Sequence, residues 1–422
     1  MNVLVIAQHY HPEVTAAVNR LTALAEALGR LGHGVTVIAP KPNHPAGRIA
    51  APYRGSAVKV EEVSGVEVHY TWVYTSPRKS VVRRVLYYAS FTLMAIFAAL
   101  RLKGRYDVVF ASCPPPLVGV AGWVIARVKR AKFILDVRDM WPGLAIALGE
   151  LRNPIAIAAA RAVESLCYRT ADGIIAVTRP FRDEIERRIS KRVPVELVPN
   201  GALPLFVDAG RGRERTRDEK GWKTRFVVSY VGNVGVCQGL MHVVEAAEIL
   251  QEAAPDVLFF VQGHGVVKDR LIAEARRRGL RNMSFEDIVP TETAAAAMAA
   301  SDALLVPLAR VPLAAQFVPS KLFDSMAVGR PVLLSVEGEA LRILEESQAG
   351  LGYRAEDGKA LAEAVLELRA EPGRAHEMGV RGREYIKAGY LRNDLSDRMV
   401  RFIGQISGET VAEPLSPRTV PT

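Results

Sequence analysis

The first forty residues constrain this chain most. Asn2 to Ala7 (NVLVIA) is an unbroken apolar run, the pattern of a strand covered on both faces. Asn19 to Leu31 follows with apolar residues at helical spacing, and Gly32 and Gly34 stop it. Val35 to Ala39 (VTVIA) is then a second buried strand. Strand, helix, strand is the repeating unit of a doubly wound parallel sheet.

The pattern continues with short strands expected at Val66–Tyr70, Asp107–Ala111, Phe133–Val137, Gly173–Val177 and Val195–Val198. Pro199, Asn200, Gly201 and Pro204 interrupt it, and the charged stretch Arg211–Lys223, which has no apolar face, reads as a hinge. From Phe226–Val231 the alternation restarts, with helices near Leu240–Ala253 and Lys268–Arg278 and strands at Val257–Gln262, Met283–Phe285, Ala303–Pro307 and Val332–Ser335. A chain of 422 residues exceeds the roughly 250–300 at which one core stops growing. Two domains are therefore expected, over 1–203 and 204–388. A helix over 389–406 is expected to cross back to the first, and a Pro-, Ser- and Thr-rich tail over 407–422 to be disordered.

The formal charge of +10 implies an anionic partner, but there is no zinc-finger spacing or ribonucleoprotein motif, and nucleic acid is not the expected one. Cys113, Cys167 and Cys237 lack metal spacing and read as buried thiols in a reducing compartment; no metal site is expected. Because the chain starts directly on a strand, a cytoplasmic location is expected.

One segment fits neither sheet pattern. Tyr87–Leu100 is fourteen uncharged residues bracketed by Arg83, Arg84, Arg101, Lys103 and Arg105. It is shorter than the ~20 residues that span a bilayer. Either it lies in the headgroup layer of the inner leaflet, with Arg83, Arg84, Tyr87, Phe91, Phe97 and Arg101 in contact, or it is a buried helix of the first domain.

The most informative stretch is Gln316–Val332 (QFVPSKLFDSMAVGRPV). Pro319 and Ser320 start a helix over Lys321–Ala327, whose free N–H groups, with Ser320 and Lys321, suit a diphosphate. Asp324, one turn along, is placed to accept from ribose hydroxyls.

With these residues the chain resembles the retaining glycosyltransferases of family 4, most closely the bacterial colanic acid and O-antigen members. The resemblance rests on several segments in order: HPE at 11–13, LGRLGHGVTVIAP at 28–40, ILDVRDMWP at 134–142, ADGIIAVT at 171–178, VPNG at 198–201, YVGNVGVCQGL at 230–240, VQGHG at 261–265 and VPSKLFDSMAVGRPVLL at 318–334. It implies the α/β GT-B fold, two Rossmann-like domains facing each other across a cleft. The second would hold the donor through Lys321, Asp324, Ser320, Gln316, Gly232, Asn233, Gly235, Gly263 and Gly265. Gly338, Glu339 and Ala340 are further candidates there. Asp139, Arg138 and His11 are expected at the reacting centre, and His9, Glu13 and Asn200 beside the acceptor.

The departures are specific. Many relatives carry two glutamates seven residues apart where this chain has Gln316 and Asp324, and His-Asp where it has Arg138–Asp139. The Gly232–Gly239 loop lacks the usual Arg and Lys, which leaves Lys321 as the expected cation. The resemblance implies a nucleoside-diphosphate sugar as co-substrate and no bound cofactor. A UDP-linked N-acetylamino sugar is favoured over GDP-fucose, with a lipid-linked or saccharide acceptor. A nucleotide-sugar 2-epimerase and a non-catalytic nucleotide-sugar binder stay open, as does a nicotinamide-dependent oxidoreductase if only twin α/β domains are trusted.

Overall fold

A computed structural model describes residues 1–44, 46–78, 80–189, 193–311 and 313–409, and divides into two compact α/β units: 1–200 with the segment from Asn393, and Gly201–Arg392. The first unit holds β1 (Asn2–Ala7), β2 (Gly34–Pro40), β3 (Val58–Val63), β4 (Val66–Thr71), β5 (Val108–Cys113), β6 (Lys132–Val137), β7 (Gly173–Ala176) and β8 (Val195–Leu197). They form one sheet in the order β3-β4-β2-β1-β5-β6-β7-β8, parallel except for the β3–β4 hairpin. Strand order reverses beside β1, between β2 and β5, so the switch-point crevice lies where β1 and β5 end.

Helix α1 (Ala16–Arg30) begins earlier than its apolar spacing suggests because Thr15 caps it, accepting from Val18 N–H at 3.2 Å. Strand β3 was not expected. It is a half-exposed edge strand, joined to β4 by Ser64 and Gly65, both at positive φ as tight hairpins require.

Helix α2 spans Val81–Arg101, twenty-one residues where fourteen were expected, with Ser80 as its cap. Phe91, Ala95, Ala98 and Ala99 face the core, and Phe91 is fully buried, so it is a packing residue and not a lipid contact. The outward face carries Val82, Val85, Leu86, Leu93, Phe97 and Leu100, all exposed, in one stripe. By length and mean hydropathy the helix could cross a membrane. Its inner face packs on α3 (Pro116–Lys129), β2 and β4.

The second unit holds β9 (Phe226–Val231), β10 (Val257–Gln262), β11 (Met283–Glu286), β12 (Ala303–Val306), β13 (Val332–Leu334) and β14 (Gly350–Gly352). The order is β11-β10-β9-β12-β13-β14, all parallel, with the switch point at β9. The presumed hinge Arg211–Lys223 is instead structured. Arg213–Glu219 is a helix, and Arg213 and Arg217 pair with Asp302 at 2.8 and 3.0 Å. Arg217 also donates to the carbonyls of Ala300, Trp222 and Arg225, each at 2.7 Å. An element held by a polar network has no apolar period to reveal it.

The last helix is Arg392–Ser407, and from Asn393 it belongs to the first unit. There Phe402 and Ile406 sit against Gly173, and Arg398 pairs with Glu196. The tail expected to be disordered lies, from residue 410, outside the described residues.

Candidate active site

The donor half-site candidates converge at the carboxyl end of β9. Gly232, just after that strand, has φ 137°, and Gly263, just after β10, has φ 142°. A Cβ on Gly263 would lie 1.9 Å from the Gly232 carbonyl oxygen, and one on Gly265 would lie 2.2 Å from that of Val234. The two loops therefore touch through bare backbone, which only glycine permits. Lys268 anchors the turn by donating to Gly263 O at 2.9 Å, Glu286 O at 2.7 Å and Asp287 at 2.6 Å. Its role was not foreseen, since nothing in its spacing marks it.

Lys321 enters from the start of the helix Ser320–Val328. Its Nζ donates to the Tyr230 hydroxyl at 2.6 Å, lies 4.1 Å from the centre of that ring, and would be 3.2 Å from a Cβ on Gly232. Tyr230 in turn donates to the Asn233 carbonyl. Lysine, helix start and glycine loop thus occupy one place, together with Tyr230, which the sequence did not single out. Burial, with no carboxylate to offset it, pushes the Lys321 ammonium down to about 7. A bound anion would restore its charge.

Asp324 accepts from Leu203 N–H at 3.3 Å. Burial pushes its carboxyl up to about 6, against the opposing pull of Arg392 and that N–H. Gln316 closes a short 3-10 turn, Ala314–Gln316, that packs on the helix Glu339–Ser347. The contact requires Gly338, where a Cβ would meet the Ala315 carbonyl at 2.2 Å. Glu339 is turned back onto Arg342 in two bonds of 2.9 and 2.8 Å.

In the first unit a cavity of about 600 Å³ opens at the carboxyl ends of the strands. It is lined by His9 and Arg138, expected at the acceptor and the reacting centre, and by Arg83, Arg84 and Tyr87, expected at a membrane. His44, Ser76 and Arg78 join them unforeseen, from loops without motif character. His11, Glu13, Asp139 and Asn200 do not line it.

Glu13 is a loop organiser. Its carboxylate accepts from Asn43 N–H at 2.7 Å and His44 N–H at 2.8 Å, and pairs with His9 Nδ1 at 2.6 Å. Burial would raise its pKa, but the His9 bond and the two backbone N–H groups outweigh that and hold it low. Asp139 is pushed up to about 6 by burial, partly offset by Arg138. Beneath the cavity, buried Asp136 takes Arg20 in a two-pronged pair at 3.0 and 3.3 Å and Ser112 Oγ at 2.9 Å. Ser112 Oγ then accepts from Arg138 Nε at 2.8 Å, fixing that guanidinium. Among the described residues no group of His, Cys, Asp and Glu could hold a metal. Cys113 and Cys167 are buried as expected, but Cys237 is exposed, because it lies on the Gly232–Gly239 loop rather than under a sheet.

The second unit thus presents a lysine and a glycine cradle at the switch point of its sheet. The model of the glycosyl transferase 4-like domain matches residues 15–201, and that of glycosyl transferases group 1 matches residues 212–385. The chain belongs to the family 4 glycosyltransferases and has the GT-B fold. It is 28% identical over 353 residues to a protein of Escherichia coli (strain K12) named as the colanic acid biosynthesis glycosyl transferase WcaI, covering 80% of this chain and 84% of that one. The sucrose-phosphate synthase of Thermosynechococcus elongatus superposes with a TM-score of 0.73 at 19% identity, over 96% of this chain and 99% of that one. HepE of Anabaena, solved with UDP-glucose, gives a TM-score of 0.70 at 13% identity, over 96% and 100%.

Proposed function

We propose that this glycosyltransferase moves a sugar, with retention of configuration, from a nucleoside diphosphate to a lipid-linked acceptor in surface polysaccharide assembly of the colanic acid or O-antigen kind. The observation that carries the reading is Lys321, seated at a helix start against Gly232 with its charge uncompensated. The donor diphosphate occupies that place. The bond between anomeric carbon and diphosphate oxygen breaks, the acceptor oxygen bonds to that carbon on the same face, and its proton passes to the departing diphosphate. Lys321 and the N–H groups of the helix start stabilise the charge that develops on the leaving group. Asp324 holds ribose. A UDP-linked N-acetylamino sugar is the favoured donor, in keeping with the family resemblance and with a neighbour solved with UDP-glucose.

The outward stripe of α2 supports placing the enzyme on a membrane surface. Leu93 is 68% exposed and Phe97 38%, and basic residues bracket both ends. The Arg101 guanidinium lies 3.3 Å from the centre of the Phe97 ring, so apolar and cationic groups share one face.

The test is thermal stabilisation of the wild type and of Lys321→Ala by UDP, GDP, ADP and NAD. A ligand at a hundred times its Kd adds about 2.7 kcal/mol. One nucleoside diphosphate should stabilise the wild type and lose that effect in the variant; a response to NAD alone would overturn the reading. Transfer to an added acceptor, with the product anomer read by NMR, separates a transferase from an epimerase or a silent binder.

A further inference from the structure

Among the described residues, the cavity of the first unit is lined by four guanidinium groups, Arg78, Arg83, Arg84 and Arg138, and by no Asp or Glu. Little neutralises them from behind. Arg83 donates to Ser76 Oγ at 3.2 Å and Arg138 to Ser112 Oγ, both uncharged partners. The carboxylate nearest Arg138 is that of Asp136, at 3.9 Å, and it is already engaged by Arg20. Arg84 pairs with Glu150 at 2.6 Å, but both side chains are more than 40% exposed, and such solvent-screened surface pairs are weak.

A neutral sugar does not call for four cations. Arginine forks suit phosphoryl oxygens, which they bind in pairs, and the start of α2 adds its own partial positive charge. The same helix carries the exposed apolar stripe, which begins at Val82 beside Arg83 and Arg84 and runs to Leu100. A phosphorylated head and an apolar tail are thus accommodated by consecutive parts of one element.

We propose that this cavity is a phosphoryl-binding subsite of the acceptor: it holds the phosphate or diphosphate that joins the acceptor's lipid to its sugar, with the lipid laid along α2. The proposal rests on the glycosyltransferase reading and assigns to the acceptor the positive charge of the first unit. It also gives Arg83, Arg84 and Tyr87 a role in the cavity, in place of direct contact with bulk lipid.

The test measures binding of farnesyl diphosphate and of farnesol to the full-length chain by calorimetry, alongside sedimentation with phosphatidylglycerol vesicles. Farnesyl diphosphate should bind and farnesol should bind at least tenfold more weakly. Arg83→Ala and Arg78→Ala should each weaken farnesyl diphosphate tenfold or more, while UDP stabilisation is retained. Arg78 is exposed, so its loss cannot be ascribed to misfolding, and Arg83→Lys should fall between alanine and the wild type. Lys321→Ala should bind farnesyl diphosphate as the wild type does. Equal binding of the alcohol and the diphosphate would overturn the proposal. So would loss of diphosphate binding only in Lys321→Ala, which would place it in the donor site. Loss of vesicle binding in the Arg variants with farnesyl diphosphate binding unchanged would likewise overturn it, by assigning these arginines to the lipid surface. Failure of the transferase reading itself would appear separately, as absence of UDP, GDP and ADP stabilisation in the wild type.

Discussion

On the proposed assignments, the two half-sites solve a similar problem, holding an anion at the carboxyl ends of a parallel sheet, by opposite means. The donor side uses backbone: Gly232, Gly263 and Gly265 bring two loops into contact, and one lysine of suppressed charge waits at a helix start. The acceptor side uses side chains: Arg78, Arg83 and Arg84 at the start of α2 meet Arg138 from the end of β6, which the buried Arg20–Asp136 pair steadies through Ser112, while Glu13 holds the neighbouring His44 loop. Backbone cradles are rigid and tolerate no added atoms. Side-chain cradles can be retuned one residue at a time.

The largest expected effect lies on the acceptor side. Arg20 and Asp136 are 2% and 0% exposed, and Arg20 also donates to Pro199 O at 2.9 Å. Arg20→Ala leaves a buried carboxylate without its cation and should cost about 3–5 kcal/mol, read from urea denaturation. Arg20→Met with Asp136→Leu should recover much of that loss. If the single variant is as stable as the wild type, the claim that side chains hold this half-site fails.

Next comes the donor side. Lys321→Ala should leave the fold intact and lower kcat by about 10²–10³, or roughly 2.7–4 kcal/mol, the range for loss of one preorganised charge-stabilising donor. Steady-state rates with saturating acceptor would show it. A drop of less than threefold would shift the donor role onto the glycine loop alone.

These two means differ in how much of them the sequence reveals. The parallel strands show because buried runs such as NVLVIA and VLFFVQ need no partner to be recognised. The donor residues show because a positive-φ glycine and a helix start leave local marks, at Gly232, Gly263 and Ser320. Arg78, His44 and Ser76 leave none, since they meet only once β2, β4 and α2 are in place. Phe91 and Arg217 were misread for the same reason. One looks like membrane contact until α2 is seen to turn it onto the core, and the other looks like a solvated hinge until it is found on Asp302.

The smallest effect is the most diagnostic, because it separates the suppressed lysine from the arginine-lined cavity. Lys321 has its pKa lowered to about 7 in the folded chain, against about 10.4 for an unfolded lysine. Between those values the unfolded chain binds more protons, so Lys321 makes stability rise with pH from about 7 upward. Donor binding follows the opposite sign. A diphosphate favours the charged ammonium, so UDP binding takes up a proton above pH 7, and its affinity should fall by up to about tenfold per pH unit there while staying flat just below. Calorimetry in buffers of different ionisation enthalpy, at pH 8, counts that proton directly. Lys321→Met should abolish both slopes, whereas farnesyl diphosphate binding to the arginine cavity should show no such uptake. An equal proton count for the two ligands would mean that both anions sit on the same lysine.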